Sequence, residues 1–506
     1  MIYPQYKDLQ VLRERYNTIP LTLEMYSDVA TPISVLKKLN SIYECCFLLE
    51  SVEGGEVWGR YSFLGYDPLI RVSYKDGLVR IRRKGETPYE TTEETREPYQ
   101  VLRRIQAEFS VPKLAGLPPF TGGFVGYFSY SMLGIAQPKL KISSGSFYDY
   151  DVMLFDKLIA FDHKKQKIYI IYNIGTQDLD QNYDHAVSAL KKTEAMIKES
   201  LHYSSQSQAS TYPISSLPKK INFTSSFTKE EYCSAVEKTK EYIRKGQIFQ
   251  AVISNQYTAP YEESLLNPYR VLRTTNPSPY MVYMNIYGDE IMCSSPETLV
   301  SLVDGKLITF PVAGSRPRGR TEEEDKALER ELLADPKELS EHNMLVELGV
   351  DELKEISKPG SAKVTDYMMV HRYSKIMHIC SRLEGEILPD KDGFDALKAL
   401  LPAGTLAGVP KVEACQIIED LETRPRGIYG GALGYFDFAG NMDTCIAIRM
   451  AVKKDNLVYV QAGGGIVAGS VPEKEFQEAQ NKAGAILDAL RKANDLEENR
   501  KEGELK

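Results

Sequence analysis

Glu338 and Glu341, and again Glu475 and Glu478, stand three residues apart. At that spacing two side chains share one face of a helix. Each pair opens a helix pattern. Asp335-Pro336-Lys337-Glu338 supplies a cap, a first-turn proline and an acid, and Pro472-Glu473-Lys474-Glu475 begins the second. Four carboxylates brought together would form a hard-oxygen site suited to Mg2+, which takes one or two carboxylates directly and keeps several waters. Such an ion would also let an anion approach: a carboxylate about 4 Å from a glutamate is otherwise repelled by roughly 4 kcal/mol at an effective dielectric near 20. Read locally, the same residues also satisfy a plainer account, a capping box at Glu338, a solvated Glu341, and Glu475, Glu478 and Lys482 as helix-face charges.

Other residues invite chemistry. His378 lies in the apolar stretch Ser374 to Ile379, as a core histidine or a general base. Glu297 ends an apolar strand in Ser294-Ser295-Pro296-Glu297, as a turn acid or a partly buried general acid. Arg449 sits in Cys445-Ile446-Ala447-Ile448-Arg449-Met450, where a charge needs an internal acid or a bound carboxylate. The loop Pro311-Val312-Ala313-Gly314-Ser315-Arg316-Pro317-Arg318-Gly319 presents backbone N–H groups and guanidinium forks suited to an anion, or is a simple turn. Gly463-Gly464-Gly465, reading as a turn after the strand Leu457 to Val460, allows close backbone approach to a ligand.

These residues need a scaffold. The 506-residue chain is 42% hydrophobic and 26% charged, with net charge -8, so it packs as a globular protein without the basic stripe of nucleic-acid binding. Seven cysteines without C-x-x-C spacing predict reduced thiols, and no apolar run is long enough for a membrane span, so a soluble cytoplasmic protein is expected. Residues 1–202 alternate short strands and turns before a helix over Ala186 to Ser200. Residues 203–220 read as a Ser-, Gln- and Pro-rich linker, residues 221–492 as a second domain and residues 493–506 as a charged, frayed tail. Within the second domain Thr228 caps a helix that runs to about Lys245 and ends at Gly246, and Ile248 to Tyr257 reads as a strand. Meandering strands with interspersed helices favour α+β over a doubly wound fold, and no G-x-G-x-x-G or Walker motif appears.

Taken together, Leu48-Leu49-Glu50-Ser51, Asn276-Pro277-Ser278-Pro279-Tyr280-Met281, Ser294-Ser295-Pro296-Glu297, the Pro311 loop, Leu401-Pro402-Ala403-Gly404-Thr405, Tyr429-Gly430-Gly431, Asn441 to Arg449 and the glycine run with its glutamate helix resemble the chorismate-utilising enzyme family, in its anthranilate-forming branch. The resemblance implies an interleaved two-domain fold with large, mainly antiparallel sheets flanked by helices. It implies Mg2+ at Glu341 and Glu478 with Glu338 and Glu475 beside them. Substrate carboxylates would meet Arg449, Tyr429, Lys482 and the backbone at Gly463 and Gly465, with Gly314, Ser315 and Thr405 lining the pocket. Glu297 would be the general acid for the departing ring hydroxyl and His378 would assist loss of the ring proton. Leu49, Glu50, Ser51, Pro279, Tyr280 and Met281 match the family's tryptophan-inhibitor site.

The implied reaction adds ammonia to carbon 2 of chorismate as the carbon 4 hydroxyl leaves, then eliminates pyruvate to give anthranilate. A separate glutamine amidotransferase subunit would supply the ammonia, which implies a hetero-oligomer. Two positions separate this chemistry from its relatives. Ala313 stands where aminodeoxychorismate synthases carry a nucleophilic lysine, and Gln250 stands where water-adding members carry a lysine base. The rival readings are 2-amino-4-deoxyisochorismate synthase, aminodeoxychorismate synthase and a catalytically dead subunit. Departures from the family pattern fall at Gln247, Ser315, Val350, Gly464 and Gly469.

Overall fold

The computed structural model describes residues 2–51, 59–85, 89–206, 221–373 and 376–503. The sequence-predicted linker falls partly outside this set: 203–206 end a helix, Leu179–Gln206, and 207–220 are not among the described residues. Ser374 and Lys375, in the His378 stretch, also lie outside it.

Two large sheets dominate. One runs from Ile2–Tyr3 through Thr18–Tyr26, Lys167–Gly175, Lys157–Asp162, Tyr61–Tyr66, Cys45–Glu50, Tyr280–Ile286, Asp289–Ser295, Met450–Lys454 and Leu457–Ile466 to Gln250–Pro260 and Thr224–Ser225. The other runs from Val312–Pro317 through Ile376–Glu386, Lys306–Thr309, Thr298–Val303, Met442–Ile446, Ala432–Asp437, Gly123–Phe128 and Tyr150–Phe155 to Ile70–Lys75, Leu78–Arg83 and Tyr89–Glu94. Both sheets therefore draw strands from each side of 207–220, which is the interleaving expected from the motifs. Neighbouring strands within each sheet pair antiparallel, as in Ala251↔Ile466 and Met281↔Ser294.

Alternation along the strands explains the layers. Phe47, Phe63, Tyr127, Met153, Phe155, Val282 and Leu433 point into one apolar layer between the sheets. Their neighbours Cys46, Leu48 and Met281 pack beneath helices on the outer face of the first sheet, and Phe124, Val152 and Phe436 do so on the second. The result is helix, sheet, sheet, helix. Strands covered on both faces read as unbroken apolar runs, and Gly123–Phe128 is buried throughout.

Local chemistry sets the element ends that matter for the site. Thr228 and Glu231 form a reciprocal capping box that starts the Lys229–Arg244 helix, as the sequence predicts. Asp335 accepts from the Lys337 and Glu338 N–H groups and starts the Pro336–Ile356 helix. Three expectations are corrected. The Pro311 segment is not a free loop, because Val312–Pro317 forms an edge strand on Ile376–Glu386. Gly463, Gly464 and Gly465 are not a turn, because each has a ladder partner on Gln250–Pro260 and the strand runs unbroken to Ile466. The tail is helical through Gly503, since the Pro472 helix continues past Asn494. The helix expected over Ala186 to Ser200 is also longer.

All seven cysteines are free thiols, and among the described residues no helix is long and apolar enough to cross a membrane.

A buried ion pair lies beside the cavity described below, against the Gln250–Pro260 strand of the first sheet. The Arg426 guanidinium binds both Glu422 oxygens and donates to the carbonyls of Val252 and Leu406 at 2.7 and 2.6 Å. It also lies over the Tyr130 and Tyr429 rings. Removing one partner of such a pair leaves an uncompensated charge. Arg426→Ala is expected to lower unfolding free energy by about 3–5 kcal/mol, as a smaller midpoint in urea titration.

Candidate active site

One cavity of about 540 Å³ opens between the edge of the second sheet, the Gln250–Pro260 and Leu457–Ile466 strands, and the first turns of two helices. Every residue the sequence assigned to catalysis, substrate or metal lines it: Gln250, Glu297, Gly314, Ser315, Glu338, Glu341, His378, Thr405, Tyr429, Arg449, Gly463, Gly465, Glu475, Glu478 and Lys482. They come from segments more than 200 residues apart, so the topology alone brings them together.

Glu297 follows the Asp289–Ser295 strand and is buried. Burial pushes its carboxyl up to about 8, against the Thr405 hydroxyl (3.1 Å) and the Val312 backbone, which pull it down. At neutral pH it therefore holds a proton in the cavity, as a general acid must. His378 Nδ1 lies 3.0 Å from the Gly314 carbonyl. A carbonyl only accepts, so Nδ1 carries the hydrogen and the neutral ring keeps Nε2 as its acceptor. Burial lowers His378 to about 4, so the ring is neutral near pH 7.

The carbonyl that orients His378 is placed by a bulge. Ala313 pairs with Ile379 and Ser315 with His378, leaving Gly314 as the extra residue. Its φ is +66°, and a Cβ there would stand 3.2 Å from Glu338 Oε2, so glycine serves both needs. Arg316 and Arg318, which the sequence left open between anion ligands and parts of a turn, are engaged by acids. Arg316 pairs with Glu331 and Asp335 at 2.8 and 2.9 Å, and Arg318 with Asp325 at 2.8 Å. They brace the edge strand.

Arg449 differs from both. Among the described residues no carboxylate lies within ion-pairing distance of its guanidinium and no hydrogen bond holds it. Burial lowers its pKa, opposed by Tyr429 and Glu478. Its backbone is left-handed, with φ +50°, a conformation that costs a non-glycine residue about 1–3 kcal/mol and persists only when its surroundings impose it. A carboxylate ligand is what this half-buried cation lacks among the described residues.

The glutamate pairs occupy the first two turns of the Pro336–Ile356 and Pro472–Gly503 helices, where the N-terminal dipole favours carboxylates. Glu341 Oε1 accepts from Gln250 Nε2 at 3.1 Å, and Glu478 pairs with Lys482 at 2.7 Å. Burial raises Glu338, Glu341 and Glu475, while Lys482 leads the groups that lower Glu478 against its own burial. Among the described residues no three acidic, histidine or cysteine side chains are gathered tightly enough to enclose an ion. Mg2+ requires no such cage, because it is held by one or two carboxylates with water and substrate completing the octahedron. Three glutamates held above their usual range beside an open cavity fit that donor set.

The sequence reading missed Lys337, Gln461 and Asn481, which also line the cavity. Lys337 is cap-adjacent and reads as solvated, so only the helix's orientation reveals it. The Arg426–Glu422 pair gave no signal at all, since its local sequence reads as a polar turn.

Of the six residues matched to an inhibitor site, Leu49, Glu50, Tyr280 and Met281 lie on paired strands, with Glu50 opposite Met281 and Leu49 opposite Val282. Alternation divides their side chains. Leu49 and Tyr280 pack toward the layer between the sheets, and Met281 faces the helices. Glu50 shares the Met281 side, where Tyr269 and Arg273 hold its carboxylate at 2.7 and 2.6 Å. Ser51 follows Glu50 and Pro279 precedes Tyr280 at the strand ends.

Comparison with known proteins agrees with this geometry. A family model described as chorismate binding enzyme matches residues 65–488. The chain is 43% identical over 500 residues to anthranilate synthase component 1 of Acetivibrio thermocellus, covering 98% of this chain and 100% of that one. It is 40% identical over 497 residues to the protein of the same name from Aquifex aeolicus, covering 97% and 98%. The crystal structure of anthranilate synthase component I from Streptococcus pneumoniae superposes with TM-score 0.72 at 32% identity, over 91% of this chain and 98% of that one. A menaquinone-specific isochorismate synthase from Escherichia coli shares the fold at TM-score 0.67 and 19% identity, over 96% and 98%.

The glycine strand gives a direct check on the cavity wall. A Cβ at Gly463 would stand 2.4 Å from the Ile253 carbonyl, a backbone clash, whereas one at Gly464 would stand 3.2 Å from the flexible end of Glu475. Gly463→Ala is expected to cut kcat/KM by about 100-fold through a shifted wall, and Gly464→Ala by no more than about 5-fold, measured by steady-state kinetics on folded protein.

Proposed function

The chain belongs to the chorismate-binding enzyme family, and on that premise we propose that it works as an anthranilate synthase component I: chorismate and ammonia give anthranilate, pyruvate and water. The observation that carries this reading is the half-buried Arg449, without an ion-pair partner among the described residues, in a cavity that also holds a protonated acid and four glutamates. Chorismate bears two carboxylates and a departing hydroxyl. Arg449, Tyr429 and Lys482 offer charge and hydrogen bonds to one carboxylate, with the Gly463 and Gly465 backbone beside them.

Glu297 gives its proton to the carbon 4 hydroxyl, which leaves as water while the nitrogen of ammonia bonds to carbon 2. Neutral His378 then assists loss of the carbon 2 proton, and the enolpyruvyl group leaves carbon 3 as pyruvate while the ring becomes aromatic. Ala313 has no nucleophile with which to form a covalent intermediate, and Gln250 cannot act as a base near neutral pH, so both positions favour direct attack by ammonia. Glu341 and Glu478, with Glu338 and Glu475 beside them, are the residues that would hold Mg2+. Bound there, the ion would supply positive charge to the second substrate carboxylate.

The partner in this reading is a glutamine amidotransferase that delivers ammonia, tryptophan is the feedback inhibitor, and the complex works in the cytoplasm. Retention of every reactive group counts against a dead subunit, and Ala313 counts against aminodeoxychorismate synthase.

Incubation with chorismate, Mg2+ and ammonium is expected to yield anthranilate and pyruvate in equal amounts. Accumulation of an amino-cyclohexadiene would favour the 2-amino-4-deoxyisochorismate alternative. Glu297→Gln should lower kcat by about 10²–10⁴-fold. Because Glu297 acts protonated, kcat/KM corrected to free ammonia should fall as pH rises through about 8. Chelator should remove turnover. Mg2+ should also raise the wild-type melting temperature, a shift that a Glu341→Gln, Glu478→Gln double variant should lose.

A further inference from the structure

His342 is a buried histidine that the chemistry above does not use. It follows Glu341 directly and lies four residues after Glu338, one helical turn away on the Pro336–Ile356 helix. Its side chain is fully buried. Nε2 lies 2.6 Å from the Ser381 hydroxyl, and Nδ1 has no hydrogen-bond partner among the described residues. A buried polar atom without a partner costs free energy that an apolar side chain would not. What the imidazole holds at that cost is a junction in the second sheet.

Ser381 stands where its strand changes partners. Val312–Pro317 pairs with Ile376–Glu386 as far as Cys380, and Lys306–Thr309 takes over at Leu383. On the opposite edge the Lys363–Arg372 strand pairs Asp366 with Arg382 and Met369 with Cys380, so Tyr367 and Met368 bulge out across from Ser381. Met368 is left-handed there, with φ +52°. Ser381 closes both gaps. Its N–H donates to the Pro311 carbonyl at 3.1 Å, and its hydroxyl oxygen accepts from the Met368 N–H at 3.0 Å.

Three parts of the site meet at this residue. His378 lies three positions earlier on the same strand. Pro311 leads into the edge strand whose Gly314 carbonyl orients His378. His342 brings in the helix of Glu338 and Glu341. The neighbouring contact between that helix and the strand is apolar, with Leu339 against Met377 and Ile379. Packed apolar faces allow small sliding movements, whereas a hydrogen bond has one preferred distance and direction.

We propose that His342 is a positioning residue, and that its hydrogen bond to Ser381 is a latch that sets the depth of the Glu338 and Glu341 carboxylates in the cavity relative to His378. The inference rests on the reading of these glutamates as residues that hold Mg2+.

A double-mutant cycle on the full chain tests it, read by calorimetric titration of Mg2+ without substrate. His342→Leu and Ser381→Ala are each expected to weaken Mg2+ binding about 5- to 10-fold. Adding His342→Leu to Ser381→Ala is expected to change affinity by no more than about 2-fold, because the bond is already gone. His342→Gln, whose side-chain amide reaches the same hydroxyl, should stay within about 2-fold of wild type. A merely structural role would lower the melting temperature of His342→Leu and leave its Mg2+ affinity unmoved well below that temperature. Wild-type affinity in the folded single variants, or losses that multiply in the double variant, would overturn the proposal alone. A wild type that binds no Mg2+ would overturn the metal reading, and the latch with it.

Discussion

A half-buried guanidinium with no carboxylate within ion-pairing distance among the described residues is the constraint on which this site depends. Taking a cation partly out of water costs free energy unless something repays it, and for Arg449 only the more distant Glu478 and Tyr429 oppose that cost. The same cavity holds glutamates that burial pushes toward protonation. Each set lacks what the other cannot provide at its own position. A dicarboxylate brought in with a divalent cation satisfies both, which is why charge, more than shape, points to the substrate.

Holding that arrangement open requires a stiff scaffold. Two sheets packed face to face, each covered by helices, give strands whose positions are fixed on both faces. Function is placed at their irregular points. The bulge at Gly314 turns a carbonyl onto His378, the left-handed turn at Arg449 ends a ladder, and two helix starts present the glutamate pairs. The Arg426–Glu422 pair braces the cavity wall at Val252 and Leu406.

Much of the site was legible through the resemblance its motifs carry. Read locally, glutamates at a spacing of three after helix caps, and a glutamate after an apolar strand, fit capping and turn roles equally well. Strand and helix patterns pointed to α+β, and the resemblance implied large antiparallel sheets flanked by helices. Errors arose where context outweighs local preference. Glycine in a row reads as a turn, yet Gly463 to Gly465 each keep a ladder partner on Gln250–Pro260, with the Ile253 backbone closing on Gly463 and the Glu475 and Gln250 side chains on Gly464 and Gly465. Prolines and arginines at Pro311 to Gly319 left an anion loop and a simple turn both open in the sequence, and acids on the following helix claim the arginines and leave an edge strand. The resemblance named the inhibitor-motif residues without saying which way their side chains point, and the strand register divides them between two faces.

The central claim is that Arg449 stands ready for a substrate carboxylate. Titration calorimetry of chorismate with Mg2+, using Glu297→Gln to prevent turnover, tests it most directly when repeated on Glu297→Gln with Arg449→Ala. Loss of a charge-assisted hydrogen bond of about 1.5–3 kcal/mol predicts affinity weaker by about 10- to 100-fold at an unchanged melting temperature. Equal affinity in the two variants would contradict the account.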